Sequence, residues 1–239
     1  DIAMESLVEV ARRDLRSFLT VLVLLLFARK ARLKAFLARR DPVDPQSLVY
    51  RDSVLDLIAQ ARAEGRPVVL ASAAHQSNVL RVARHLGLFD AAYGSTARRN
   101  LRGPQKLRAI REEFGSQPFD YVGDSRADLP LWAEAREAYT LGHEPAREGA
   151  VRLHRGKGAA RAIVKAVRPH QWAKNALVFV PLATSGAMLD IAGWTAAAIA
   201  FACLCVIASS VYLLNDVLDV RSDRRHPTKR NRPIAAGDL

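Results

Sequence analysis

The chain has 239 residues, 36 Lys or Arg against 24 Asp or Glu for a formal charge of +12, and a hydrophobic share of 50%. That apolar fraction excludes a disordered acidic tail or a solvated low-complexity chain, and the length suffices for one large domain or two smaller ones with packed cores. The two cysteines, Cys203 and Cys205, sit one residue apart in an apolar run, which excludes a disulfide framework or zinc knuckle and leaves inert packing thiols.

In chain order, the first apolar run is Phe18 to Phe27, bracketed by Arg16 and Arg29 and followed by Lys30, Arg32 and Lys34. It is too short for a relaxed membrane crossing and lacks the small-residue cleavage site of a signal peptide. It reads as a helix buried in or packed onto a soluble domain, lying at a membrane surface, or shaping a cap over a site. From Ser53 to Glu64 the apolar residues Val54, Leu57, Ile58 and Ala61 mark one helical face, and Gly65 ends it before the strand-like Pro67-Val68-Val69-Leu70. The pattern repeats, with helices at about 77–86, 104–114 and 129–138 and short strands at 89–93 and 119–122. Helices alternating with short apolar strands predict a Rossmann-like α/β fold, a parallel sheet covered on both faces. Ligands of such sheets collect beyond the carboxyl ends of the strands. The residues there are Ser72, after Val68 to Leu70, and the stretch Gly123-Asp124-Ser125-Arg126-Ala127-Asp128.

These residues resemble the haloacid dehalogenase-like phosphohydrolases, in which a strand-end Ser or Thr binds phosphate, a Lys follows at the start of a later helix, and another strand ends in Gly-Asp-x-x-x-Asp. The matching residues are Ser72, Lys106 in Gly103-Pro104-Gln105-Lys106, and Asp124 with Asp128. The resemblance implies that Ser72 and Lys106 bind phosphoryl oxygens, that Asp124 and Asp128 hold Mg²⁺, and that Asp124 acts in catalysis; a hydroxyl, an ammonium and carboxylates suit those tasks. Taken singly, Ser72, Asp124 and Asp128 could be helix caps and Lys106 a solvated helix residue. The family's Asp-x-Asp nucleophile motif is absent from all 239 residues. The expectation is therefore a domain over 1–150 that begins just downstream of its first strand, without the group needed for covalent catalysis.

A basic linker is expected over 151–166, through Arg152, Arg155, Lys157 and Arg161. Beyond it, Ile191 to Leu214 has no charged residue, with Trp194 and Tyr212 near its ends, and reads as a transmembrane helix with interfacial anchors. Ala176 to Leu189, carrying Pro181 and Gly186, is expected as a kinked first crossing that completes a hairpin. Arg168 and Lys174 precede the hairpin and Arg221 to Arg232 follow it, while the turn near Asp190 has no basic residue. The multi-pass expectation thus places both outer ends, and the N-terminal domain, in the cytoplasm. The basic residues lack interleaved stacking aromatics, which argues against nucleic acid as a partner.

Asn215, Asp219 and Asp223 are spaced to share one helical face, with Asp216 beside them. At the mouth of a span such a row suits Mg²⁺ bridging a diphosphate; equally, it could be a solvated juxtamembrane helix with charge pairs, or part of a basic stretch attracted to anionic lipid. The wording Asn215-Asp216-Val217-Leu218-Asp219-Val220-Arg221-Ser222-Asp223 resembles the first aspartate-rich motif of the UbiA superfamily of intramembrane prenyltransferases. Arg168 to Asn175 and His226 to Gly237 resemble the flanking segments of its branch containing decaprenyl-phosphate phosphoribosyltransferase. That resemblance implies an all-α transmembrane bundle beginning in 167–239, metal-diphosphate binding by Asn215, Asp219 and Asp223 with the two aspartates catalytic, and phosphate contacts from Lys174, Lys229 and Arg232. It implies a polyprenyl lipid and a diphosphate as substrates, with Mg²⁺ as cofactor. The second aspartate-rich motif is not in these residues, so neither site is expected to be complete. Two other readings stay open: prenyl transfer from an allylic diphosphate to another acceptor, and a non-catalytic module that binds a phosphorylated ligand.

Overall fold

A computed structural model describes residues 2–13, 15–27, 30–141, 148–153, 159–186 and 189–239. The chain forms two compact units, 1–156 and 157–239.

The first unit opens with three helices, α1 (Ile2–Arg13), α2 (Leu15–Phe27) and α3 (Lys30–Arg40). They close on a small core of Val10, Val21 and Leu37, with Leu7, Leu33 and Phe36 against it. The Phe18 to Phe27 run is thus packed onto the domain along one stripe, while much of its apolar surface stays exposed. After α4 (Asp52–Ala63), strand β1 (Val69–His75) leads into α5 (Gln76–Leu86). Gly87 ends α5 with φ of 64°, a left-handed conformation that costs glycine little. Strand β2 (Ala91–Ser95) then pairs parallel to β1. Helix α6 (Pro104–Phe114) begins at a proline, which needs no amide hydrogen in the first turn.

Strand β3 (Tyr121–Gly123), a 3-10 turn at Arg126–Asp128, α7 (Leu129–Glu134), β4 (Ala138–Thr140) and β5 (Val151–Arg152) complete the unit. Strands β3, β4 and β5 form a second parallel sheet. The parallel α/β pattern expected from the sequence is present, but as separate two- and three-stranded sheets. Helix α7 stops at Glu134, short of the expected Ala138, because Ala135 turns extended and Arg136 N–H bonds the Phe119 carbonyl. That turn delivers Ala138 to Thr140 alongside β3, a strand the sequence reading had assigned to helix and loop. The core here is Tyr121, Leu131, Trp132, Ala135 and Ala138.

The stretch expected as a linker contributes β5 and, in the second unit, α8 (Ala159–Val167), whose Ala162 and Ala166 are buried. Arg155 and Lys157 lie outside the described residues. A 3-10 helix (Pro169–Phe179) and the short α9 (Val180–Thr184) form one arm, and α10 (Ile191–Leu218) the other. The arms run antiparallel: Trp172 bonds Ser209 at 3.1 Å, Asn175 reaches Cys205, and Phe179 packs on Phe201 and Trp194.

Among the described residues α10 alone is long and apolar enough to cross a membrane. At 28 residues it is about 42 Å long, beyond the roughly 30 Å of a hydrocarbon core. The expected first crossing at Ala176 to Leu189 is not one continuous α-helix; Pro181 sits in the first turn of the short α9, and the chain turns at Gly186, with φ of 76°. Trp194 and Tyr212, expected as interfacial anchors, also contact Phe179 and Arg168 respectively. Helix α11 (Val220–Arg225) and a 3-10 turn at Lys229–Asn231 close the unit.

Candidate functional site

In the first unit, pairing of β1 with β2 is interrupted between Ala71 and His75. Ser72 therefore lies inside an irregular strand end rather than beyond the strand, as its expected place had been. Side chains satisfy the backbone there. Ser72 Oγ accepts from Ala74 N–H at 3.2 Å, and the Ala73 carbonyl accepts from Lys34 Nζ at 2.6 Å and Ser95 Oγ at 2.8 Å. Lys34, unremarked as a site residue in the sequence, thus places an ammonium beside Ser72's strand end; its one signal was a lysine among apolar helix positions.

Lys106, Asp128 and Tyr121 form a closed polar triad. Lys106 Nζ donates to Asp128 Oδ1 at 3.0 Å and to Tyr121 Oη at 2.8 Å, and the Tyr121 hydroxyl donates to the same carboxylate oxygen at 2.8 Å. The other oxygen, Oδ2, accepts from the Ser125 hydroxyl and from the amides of Ser125 and Asp124. Burial pushes the Asp128 carboxyl up, but the Lys106 ammonium, the Tyr121 hydroxyl and the Ser125 amide outweigh it and hold its pKa below the ordinary value. Burial and the Asp128 charge push the Tyr121 phenol well above its usual range, so it stays a donor.

Gly123 makes this closeness possible: a β-carbon there would come within 2.8 Å of the Trp132 ring and 3.0 Å of Asp128 Cβ. Asp124 is exposed. The structure thus gathers Lys106, Asp128 and the Asp124 backbone, while Ser72 shares no hydrogen bond with them among the described contacts. Tyr121 was missed as a site residue; its signal was a phenol two residues before Gly123 in an apolar strand. For a magnesium ion, Asp124 offers an open carboxylate, but both oxygens of Asp128 are already engaged, so these two residues do not fit a ready two-carboxylate ligand set.

In the second unit, α10 ends at Leu218 and α11 begins at Val220, yet Asp219 N–H bonds Asn215 and Asp223 N–H bonds Asp219, each at 2.8 Å. The ladder carries Asn215, Asp219 and Asp223 along one continuous winding; Asn215 and Asp219 are exposed and Asp223 is buried. Asp216, which the sequence placed beside the row, is equally buried and central. Arg168 donates to Asp216 Oδ1 at 2.6 Å, and Arg232 donates to that oxygen at 3.1 Å and to Asp223 Oδ2 at 2.7 Å. Arg168 also stacks on the Tyr212 ring, 4.9 Å from its centroid. Its φ of 55° makes it the one described non-glycine residue with positive φ, a costly conformation before a proline that persists only when its surroundings enforce it. Sequence reasoning had used Arg168 only for orientation and motif likeness. Lys174 and Lys229 are exposed.

Asp216 Oδ2 and Asp223 Oδ1 are buried without a hydrogen-bond partner. Buried carboxylate oxygens are costly to leave unsatisfied, and Mg²⁺ takes one or two carboxylates together with substrate phosphates. Hard carboxylate oxygens of this kind suit a divalent cation, although no group of three or more His, Cys, Asp or Glu suited to a metal occurs among the described residues.

Residues 2–133 match the family model for haloacid dehalogenase-like hydrolase. The chain is 39% identical over 222 residues to "Uncharacterized protein y4nM" of Sinorhizobium fredii, covering 89% of this chain and 43% of that protein. It is 53% identical over 85 residues to the decaprenyl-phosphate phosphoribosyltransferase of Mycolicibacterium smegmatis, 34% of this chain and 27% of the relative. It is also 45% identical over 78 residues to the nodulation protein NoeC of Azorhizobium caulinodans, 31% and 24% respectively. The chain thus spans less than half the length of these curated relatives. No solved structure matches it.

Proposed function

The chain belongs to the haloacid dehalogenase-like hydrolase family, and we propose that it joins a phosphate-handling domain of that family to a membrane unit that binds a diphosphate through magnesium. The reaction we assign to the membrane unit is transfer of a phosphoribosyl group from phosphoribosyl diphosphate to a polyprenyl phosphate. The observation that carries this reading is the pair of unpartnered oxygens on Asp216 and Asp223, buried between Arg168 and Arg232 at the end of an apolar helix of spanning length. The names of relatives matching about a third of the chain supply the substrate class.

Bound magnesium would neutralise charge on the departing diphosphate. Asp216 and Asp223 would hold it, with Asn215 next to Asp216 and Asp219 about one turn from each, and Arg232, now bridging the two buried carboxylates, would turn toward phosphate oxygens. Lys174 and Lys229, both exposed, would meet the remaining phosphate charge. In the first unit Ser72 and Lys106 would bind the phosphate of a sugar-phosphate product or related intermediate, Asp128 orienting the Lys106 ammonium.

The test is binding of labelled phosphoribosyl diphosphate to the full chain in lipid nanodiscs. Retention that requires magnesium and weakens at least about tenfold with Asp223→Asn is expected, a loss of about 1.4 kcal/mol or more; equal retention with and without magnesium, or by Asp223→Asn, overturns the site. Competition by allylic diphosphates separates phosphoribosyl from prenyl transfer.

A further inference from the structure

The face of α2 that its own domain leaves uncovered is apolar, and its surroundings are basic. On α2, Ser17 and Val21 point into the three-helix core. At 100° per residue the exposed Phe18, Leu19, Leu22, Val23, Leu25 and Leu26 fall together on an arc of about 160° on the other side. Their exposure runs from 40% at Leu22 to 66% at Leu26. A contiguous apolar face of this kind on a folded domain marks an interaction surface.

Charge identifies the occupant. Between Asp14 and Asp41 there is no acidic residue, and seven of the chain's 36 Lys and Arg fall there. Arg16 at the start of α2 and Arg32 and Arg39 on α3 are exposed. An apolar helix face bordered by cations suits an interface with apolar depth and anionic headgroups, and neither α2 nor α3 carries an acid to repel it. A protein partner would need an acidic rim around an apolar centre; a bilayer offers both everywhere, and α10 in the same chain already has the length and composition to enter one. We propose that α2 and the start of α3 form a membrane-surface docking face, with the α2 apolar arc sunk into the headgroup boundary of an anionic leaflet and Arg16 and Arg32 on its phosphates. This holds whatever the buried carboxylates of the second unit bind.

The experiment uses the full chain with Cys203→Ser and Cys205→Ala, an environment-sensitive fluorophore on Leu25→Cys, and a reference label on Ala59→Cys, an exposed position of α4. Samples are nanodiscs of zwitterionic lipid alone and with about 30% anionic lipid, one chain per disc. In anionic discs the Leu25 label should be quenched by lipid-borne nitroxide and shielded from aqueous iodide by about fivefold or more relative to the Ala59 label. Arg16→Glu with Arg32→Glu, or zwitterionic lipid at high salt, should remove most of that shielding. Equal iodide access at both labels in anionic discs overturns the proposal. So does shielding that appears only with two chains per disc, which assigns the face to a second copy.

Discussion

Replacing Lys106 by Met tests whether the triad in the first unit is a desolvated ion pair. The Lys106 and Asp128 side chains are only 9% and 6% exposed, and Lys106→Met removes a charge while nearly keeping the volume. Breaking a buried pair from one side costs about 3–5 kcal/mol, because the remaining charge is stranded. Asp128 would keep the Tyr121 hydroxyl, the Ser125 hydroxyl and two amides, so the low end, about 3 kcal/mol, is expected. Hydrogen exchange of β3 and α7 amides measures this locally, without requiring the two units to unfold together; a 3 kcal/mol loss speeds it about 150-fold.

Adding Asp128→Asn removes the stranded charge and should recover at least half of the loss. The pH dependence has a definite sign. Asp128 is held ionised in the native protein but, without the ammonium, burial raises its pKa, so the penalty should shrink as pH falls from 7 toward about 4. An exchange change below about fivefold at pH 7, or no recovery in the double variant, would refute a desolvated pair and make Lys106 a solvated residue.

In the second unit, Arg232→Met removes the only hydrogen-bond donor described for Asp223 and one of two for Asp216; thermal unfolding in detergent should show a loss of about 3–5 kcal/mol, largely reversed by adding Asp223→Asn. Gly123→Ala should cost about 1–3 kcal/mol, read by the same exchange of β3, since its β-carbon meets the Trp132 ring and the Tyr121 ring and none of these is a flexible chain end. Acid should destabilise the first unit: the Asp120 pKa is lowered chiefly by the Arg136 hydrogen bond and that of Asp128 by the Lys106 charge against burial. Both contributions are complete above the ordinary carboxylate pKa near 4 and disappear as pH falls below it through the lowered native values, so the loss due to these two carboxylates should appear in unfolding scans under about pH 4.

Local chemistry determined much of this protein before any folding was considered. Helix α6 starts at Pro104 and ends at Phe114 as expected, because a proline and a glycine punctuate it, and the uncharged run through Leu214 can only be a long apolar helix. The residues singled out at strand ends and after α10 are also where the polar clusters lie, because charge in an apolar context is visible in one dimension. What one dimension could not hold were the partners.

Tyr121 meets Lys106 across 15 residues and Arg168 meets Asp216 across 48; only the packing of α6 on the β3 core and of one arm on α10 sets those distances. The same cause explains β4. Ala138 to Thr140 is too short to mark a strand by alternation, although Tyr139 and Thr140 favour one; once Ala135 leaves the helix, Tyr121 N–H pairs with the Glu137 carbonyl and the segment is drawn alongside β3. Burial, finally, is a property of the assembled chain. Of four polar residues close in sequence, Asn215 and Asp219 remain in the open while Asp216 and Asp223 are enclosed by Arg168 and Arg232, arriving from opposite ends of the unit.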